Sequence, residues 1–262
     1  MLQLIYSAVI LVATTLGAFV GLGGGVIIKP VLDFIGQEPR VQVDFLSCVA
    51  IFTMSIVSTV KQIRNKVEIK KNIVLLIAFG SIAGGFLGSM AVSQLENAVD
   101  SNTVRCVQAF ILALLLAAVS IYVGKSKFSM EIKNNIAICV VGLALGFIAS
   151  FLGIGGGPIN VAVLTLFFSM NVKDSAVYSV AIIFFSQITK LITIFSSSGI
   201  EPYSHQWKTL IFILPAAILG GIIGSKLNRK FDDKIIRNVF IAVMVLLVVL
   251  NVCNGINYYS AI

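Results

Sequence analysis

The chain has 262 residues, 58% hydrophobic and 11% charged, with a formal net charge of +8 and a mean hydropathy of +1.02. A soluble domain carries about 25% charged residues, so that class is excluded, and the apolar content excludes a disordered chain. Long continuous apolar runs without ten-residue alternation exclude a transmembrane barrel, which leaves an all-α polytopic membrane protein.

Eight apolar stretches approach the ~20 residues that a spanning helix needs. In chain order they are 2–20, 43–62, 72–92, 103–123, 134–152, 175–195, 208–225 and 235–253. The first lacks a basic leading region and runs uncharged to Ile28, so it reads as a retained span and not as a signal peptide. Two further apolar pieces, 26–36 and 158–169, are too short to span comfortably, and each follows a glycine cluster: GLGGG at 21–25 and GIGGG at 153–157. The four cysteines, Cys48, Cys106, Cys139 and Cys253, sit inside apolar runs at no metal or redox spacing. They read as small packing residues.

The clusters belong to an internal repeat. A shift of 132 lays GLGGG on GIGGG, and a shift of 131 lays Val49-Ala50-Ile51 on Val180-Ala181-Ile182. A shift of 136 lays GGFLGS at 84–89 on GGIIGS at 220–225. Four matched stations in one order, counting Asp100 and Arg105 on Asp232 and Arg237, indicate duplication. The units are 1–123 and 134–262, joined by the basic linker 124–133.

The charges give the orientation. Loops 61–71, 125–133 and 226–237 carry 13 of the 19 basic residues and are expected in the cytoplasm; loops 93–105 and 196–208 are poor in them and are expected outside. Equivalent loops then fall on opposite sides, so the five-segment halves form an inverted repeat with both termini outside. Either the short segments cross, or each forms a re-entrant hairpin with the helix before it; the sequence leaves both open.

Glycines inside a membrane helix free backbone groups, which survive at membrane depth only where protein or a water-filled cavity satisfies them. The short helices that follow begin with unpaired N–H groups at the positive end of the helix dipole. Glycine-preceded helix starts of this kind are anion sites, and two of them converging at the midplane is a transporter arrangement. The donors are Gly23, Gly24, Gly25, Gly155, Gly156 and Gly157. Side-chain candidates are Asn160, two residues beyond Pro158; Lys29, in the matching turn of the first half, which either pairs an anion or snorkels; and Ser47, Ser179 and Gln187 on the helices after the breaks. GGFLGS and GGIIGS sit inside full-length helices and read as packing surfaces. No carboxylate stands clearly in mid-span, and His205, the sole histidine, falls in an expected outer loop. No GxSxG, HExxH, P-loop or metal cluster is present, so no enzyme, cofactor or metal site is expected.

These motifs resemble the TauE/SafE sulfite-exporter family. The likeness rests on GLGGGVIIKPVLDFIG at 21–36 and GGFLGS, and recurs in GIGGGPINVAVLTLFF at 153–168 and GGIIGS. It extends over essentially the whole chain. Pro30 matches the family's usual proline, with Ala162 at its counterpart. The resemblance implies transport, mostly outward, of sulfite, organosulfonates or related sulfur-containing or carboxylate anions.

The expected function is therefore secondary transport of a small anion across the inner membrane by alternating access around the two breaks. The expected partners are that anion and the lipid bilayer, with no nucleic acid; a homo-oligomer is compatible with such a chain. An anion channel of the same fold and a non-transporting membrane subunit are the alternatives.

Overall fold

A computed structural model describes residues 2–35, 40–65, 70–125, 129–198 and 207–260. Ten helices follow in order: α1 (Leu2–Val20), α2 (Gly25–Ile35), α3 (Arg40–Arg64), α4 (Lys71–Ala98), α5 (Ser101–Lys125), α6 (Asn135–Phe151), α7 (Gly157–Phe168), α8 (Val172–Ser198), α9 (Trp207–Lys230) and α10 (Asp233–Tyr259). Seven of them (α1, α3, α4, α5, α8, α9 and α10) are long and apolar enough to cross a bilayer. The described residues contain no strand, and large apolar side chains such as Phe79, Leu114, Ile136 and Ile211 stand exposed where lipid replaces water. The chain is a multi-pass, all-helical membrane protein. His205 lies outside the described residues.

One expected span is shorter than its apolar stretch. Residues 134–152 form α6, a helix of 17 residues, because the second glycine break ends it at Phe151. Its counterpart α1 stops at Val20 for the same reason. Elsewhere polar caps set the ends. Asn134 accepts from the Ile136 N–H at 2.9 Å, Asp100 accepts from the Asn102 N–H at 2.8 Å, and Asn171 accepts from the Asp174 N–H at 2.7 Å.

Helices pack by close backbone approach at glycine, which carries membrane association where no hydrophobic drive exists. Gly84 faces the Leu143 backbone, Gly88 faces Phe147, Gly142 faces Ile77 and Gly146 faces Ser81. Residue numbers rise together, so α4 and α6 are parallel. Gly220 meets Leu11 and Thr14 while Gly224 meets Thr15 and Phe19, so α1 and α9 are parallel too. The GGxxGS motifs thus serve packing. Cys106 donates to the Gly255 carbonyl at 3.5 Å and Gly124 neighbours Ile241, which makes α5 and α10 antiparallel. Exchanging α1 with α6 and α4 with α9 turns one parallel pair into the other; α3 with α8, and α5 with α10, exchange within their own contacts.

One end of the bundle gathers the basic segments. Lys173 N–H donates to Asp233 at 2.9 Å, Arg229 donates to Asn65 at 2.9 Å, and Lys70 N–H donates to the Tyr178 hydroxyl at 2.7 Å. The C-terminal ends of α3 and α9 and the N-terminal ends of α4, α8 and α10 therefore lie together. By its parallel partner α9, α1 runs toward this end; by its parallel partner α4, α6 runs away from it. At the same end Met130 N–H donates to Leu166 O at 2.6 Å and Ile132 N–H to Phe167 O at 2.9 Å. The segment just before α6 is thus bonded to the last turn of α7, so the α6–α7 pair enters the bundle and returns to the end it left. With 12 residues, α7 is ~18 Å long, little over half of a ~30 Å hydrocarbon core.

Candidate functional site

The two breaks interlock where α1 and α6 end. Gly21, Gly23 and Gly24 in the first, and Gly153, Gly155 and Gly156 in the second, all have φ between +68° and +85°. Equivalent positions carry equivalent conformations, and L-residues with a Cβ are strained there. The glycine at the fifth position of each motif starts the next helix and must lack a side chain for another reason. A Cβ on Gly157 would strike the Leu22 carbonyl, and one on Gly25 would sit 3.4 Å from the Ile154 carbonyl and 2.7 Å from Ile51. Each helix start faces a carbonyl of the other break. Ser179 ties the pair together: its hydroxyl donates to Gly21 O at 2.6 Å and lies 3.3 Å from Gly157 O.

Polar space opens to either side of this crossing. A cavity of about 70 Å³, several times what one water needs, is lined by Gly25, Val26 and Lys29 of the first half together with Gly153 and Ile154 of the second. Asp44, Arg105, Gln108, Asn251 and Asn254 complete its polar wall. Lys29 forms an ion pair with Asp44, and its ammonium reaches so far across that a Cβ on Gly153 would lie 2.9 Å from it. Arg105 stacks over Tyr258 at 5.9 Å, and its buried Nε has no hydrogen-bond partner among the described residues. A second cavity of about 70 Å³ lies between α4, α6 and α8, lined by Gly153, Gly155, Ser81, Ser186, Gln187 and Lys190. Gln187 is 1% exposed, its Oε1 has no hydrogen-bond partner among the described residues, and its amide nitrogen lies 3.0 Å from the place of a Gly155 Cβ. The cavities share Gly153, and a wider cleft holding Lys29, Asp44, Arg105 and Lys190 opens beside them toward the end of the bundle away from the basic segments.

Of the residues singled out in sequence, the glycines, Ser179, Gln187 and Lys29 come together at the crossing. Asn160 is buried in the first turn of α7, its amide oxygen 3.3 Å from the place of a Gly156 Cβ. Ser47 does not join them; its hydroxyl donates to Val43 O at 2.6 Å within its own helix. Lys29 neither snorkels nor stands ready for an external anion alone, because Asp44 pairs with it. The sequence reading missed Arg105, Asp44, Asn251 and Asn254. In sequence Arg105 reads as a repeat mark beside a loop, and only the antiparallel packing of α5 on α10 brings it to the cavity that Lys29 of α2 lines. Cys253 is exposed on the outer face and packs no interior, unlike Cys48 and Cys106, which are buried. Among the described residues no group of histidine, cysteine and carboxylate side chains is placed to hold a metal.

Comparison with known proteins agrees with this architecture. The model of the sulfite exporter TauE/SafE family matches residues 6–250. The chain is 28% identical to the probable membrane transporter protein YunE of Bacillus subtilis, over 90% of this chain and 92% of that one. It is likewise 28% identical to a probable membrane transporter protein of Methanocaldococcus jannaschii, over 85% of each. A partial likeness, 27% over 40% of this chain, links it to the probable membrane transporter protein MamO of Paramagnetospirillum magneticum. No solved structure matches the chain.

Proposed function

The chain belongs to the sulfite exporter TauE/SafE family of membrane transporters, and on that premise we propose that it is a secondary transporter of a small anion, sulfite or a related sulfonate or carboxylate. The observation that carries this reading is the joining of two glycine breaks beside cavities walled by Lys29, Arg105 and Lys190. Three cations and the buried amide of Gln187 suit an anion, because each is a donor of hydrogen bonds or can turn one toward it. The site lies among α2, α3, α5, α8 and the α6–α7 pair. Both halves therefore contribute, as transporters with inverted repeats require.

The opposite runs of α1 and α6 support the inverted-repeat reading, with 1–123 and 134–262 as the two units. The gathering of basic residues at one end supports placing that end in the cytoplasm of an inner membrane. With that orientation the cleft at Lys29 opens outward. Export of an anion then needs no ion coupling, since an inside-negative potential favours it by about 2.3 kcal/mol per charge per 100 mV.

The test is radiolabelled sulfite flux in proteoliposomes. Wild type should show saturable flux accelerated by sulfite on the opposite side, which a channel does not show. The Gly156→Val variant should lose flux, because the change forces a β-branched residue to φ +85° at the crossing, yet should still insert in the membrane. Wild-type flux in that variant would sink the site.

A further inference from the structure

We propose that Asp44 is a tethered competitor for the substrate anion: its carboxylate occupies the cationic seat formed by Lys29 and Lys190, and substrate enters by displacing it. The inference deepens the anion-transport reading and rests on it. A carboxylate has the charge and the acceptor-only oxygens of a sulfonate, sulfite or carboxylate substrate. The Asp44 carboxylate pairs with Lys29 and lies 4.0 Å from the Lys190 ammonium. The charged and titratable groups around it come from every neighbouring element: Lys29 on α2, Cys48 on α3 itself, Arg105 on α5, Lys190 on α8 and Tyr258 on α10. Among the residues lining the cleft, three cations thus surround one carboxylate. Asp44 is 26% exposed along its side chain and so is within reach of the open cleft.

Two features separate this role from that of a structural ion pair. Under the repeat shifts, Lys29 corresponds to Val161 and Asp44 to Ser175. The second half builds the same break and the same helix with uncharged residues at both of these places, so this architecture does not require the pair. The Lys29 ammonium also borders open space, since it lines both the cavity and the cleft. It lies over Gly153, a residue just past the end of α6 whose bareness leaves it room, and it lines the same cavity as Arg105, whose buried Nε lacks a partner among the described residues. A seat of this kind, filled from within, resists anions arriving from the open side and helps to expel one that has been delivered.

The decisive experiment is calorimetric titration of the purified full-length protein with sulfite at fixed pH, for wild type, Asp44→Asn and Lys29→Ala. Removing the competitor should tighten sulfite binding at least tenfold, the factor expected when Asp44 fills the seat about nine-tenths of the time. Removing Lys29 should weaken binding by a similar factor. Opposite signs from the two partners of one ion pair are the signature; a purely structural pair would make both variants bind worse. Asp44→Ser, which copies the second half, is the companion variant should Asp44→Asn fail to fold, and the same tightening is expected of it. Wild-type binding with equal or weaker binding by the Asp44 variants overturns the competitor while leaving the anion site standing. Absence of sulfite binding in every chain overturns both readings.

Discussion

Gly24 and Gly124 illustrate how differently one residue type can be used. Gly24 sits at φ +76° with the Ala13 carbonyl 3.2 Å from the place of a Cβ, whereas Gly124 lies in the last turn of α5 with only the Ile241 side-chain tip at 3.3 Å. Alanine at 24 meets both backbone strain, roughly 1–2 kcal/mol, and a carbonyl fixed by α1. Alanine at 124 meets a methyl group that can turn aside, and gains up to ~1 kcal/mol of helix propensity. Thermal unfolding in detergent should therefore show a clearly lower midpoint for Gly24→Ala and an unchanged or raised one for Gly124→Ala; equal loss in both would remove the distinction. Glycine runs are legible in sequence because nothing else supplies that backbone, and Ser179 is legible from its place on the helix that follows a break. Asp44 and Arg105 were not, since each stands near the end of its apolar stretch, where a charge ordinarily faces solvent, and only the packing of α2 against α3 and of α5 against α10 brings them under one cleft.

Among the helices, the parallel pairs α4–α6 and α1–α9 make contact through backbone rather than through side chains. A Cβ on Gly142 would lie 2.8 Å from the Ile77 Cα, and neither helix axis can yield without opening the seam along its length. Gly142→Leu should abolish the monodisperse peak in size-exclusion chromatography, while Ile136→Ala, whose side chain is exposed on the same helix, should leave it intact. A folded Gly142→Leu protein would mean that the close approach is dispensable. The existence of all ten helices and the position of both breaks followed from hydropathy and glycine. The path of the chain after a break did not, because 12 apolar residues suit either a tilted partial crossing or a return. Bonds from Met130 and Ile132 to the end of α7, more than thirty residues away along the chain, settle the second hairpin. Cysteines placed singly at Ser129 and Asn171, in a chain whose four native cysteines are replaced, should accordingly react with a membrane-impermeant maleimide from the same side of an oriented membrane. Labelling from opposite sides would contradict the hairpin.

For the whole molecule, the basic end and the open cleft lie at opposite poles, and two predictions depend on that polarity. A reporter active only in the cytoplasm should be silent when fused after Tyr259 and active when fused after Lys125; a carboxyl-terminal fusion that reports would overturn the orientation. The second concerns the seams that flank the crossing. Near the basic end, α3 and α9 are closed: the hydroxyls of Ser58 and Ser225 are 2.8 Å apart, Lys61 donates to Ile222 O at 3.1 Å, and the Met54 carbonyl is 3.0 Å from the place of a Gly221 Cβ. The corresponding seam of the other half, between α4 and α8, is parted. Gly85, the counterpart of Gly221, has no α8 atom within 4 Å of its Cβ position, and Ser89 and Thr189, the counterparts of Ser225 and Ser58, line a cavity. Under the proposed alternating access, the closed seam would open as the open one shuts. Cysteines at Ser58 and Ser225 stand within disulfide reach, so oxidation of that pair should hold the basic end closed and stop sulfite flux, with reductant restoring it. Cysteines at Ser89 and Thr189 should cross-link only as the cleft closes, and more rapidly when sulfite is present on both sides. Undiminished flux through the oxidised Ser58–Ser225 pair would rule out rocking at this seam and leave a fixed pore.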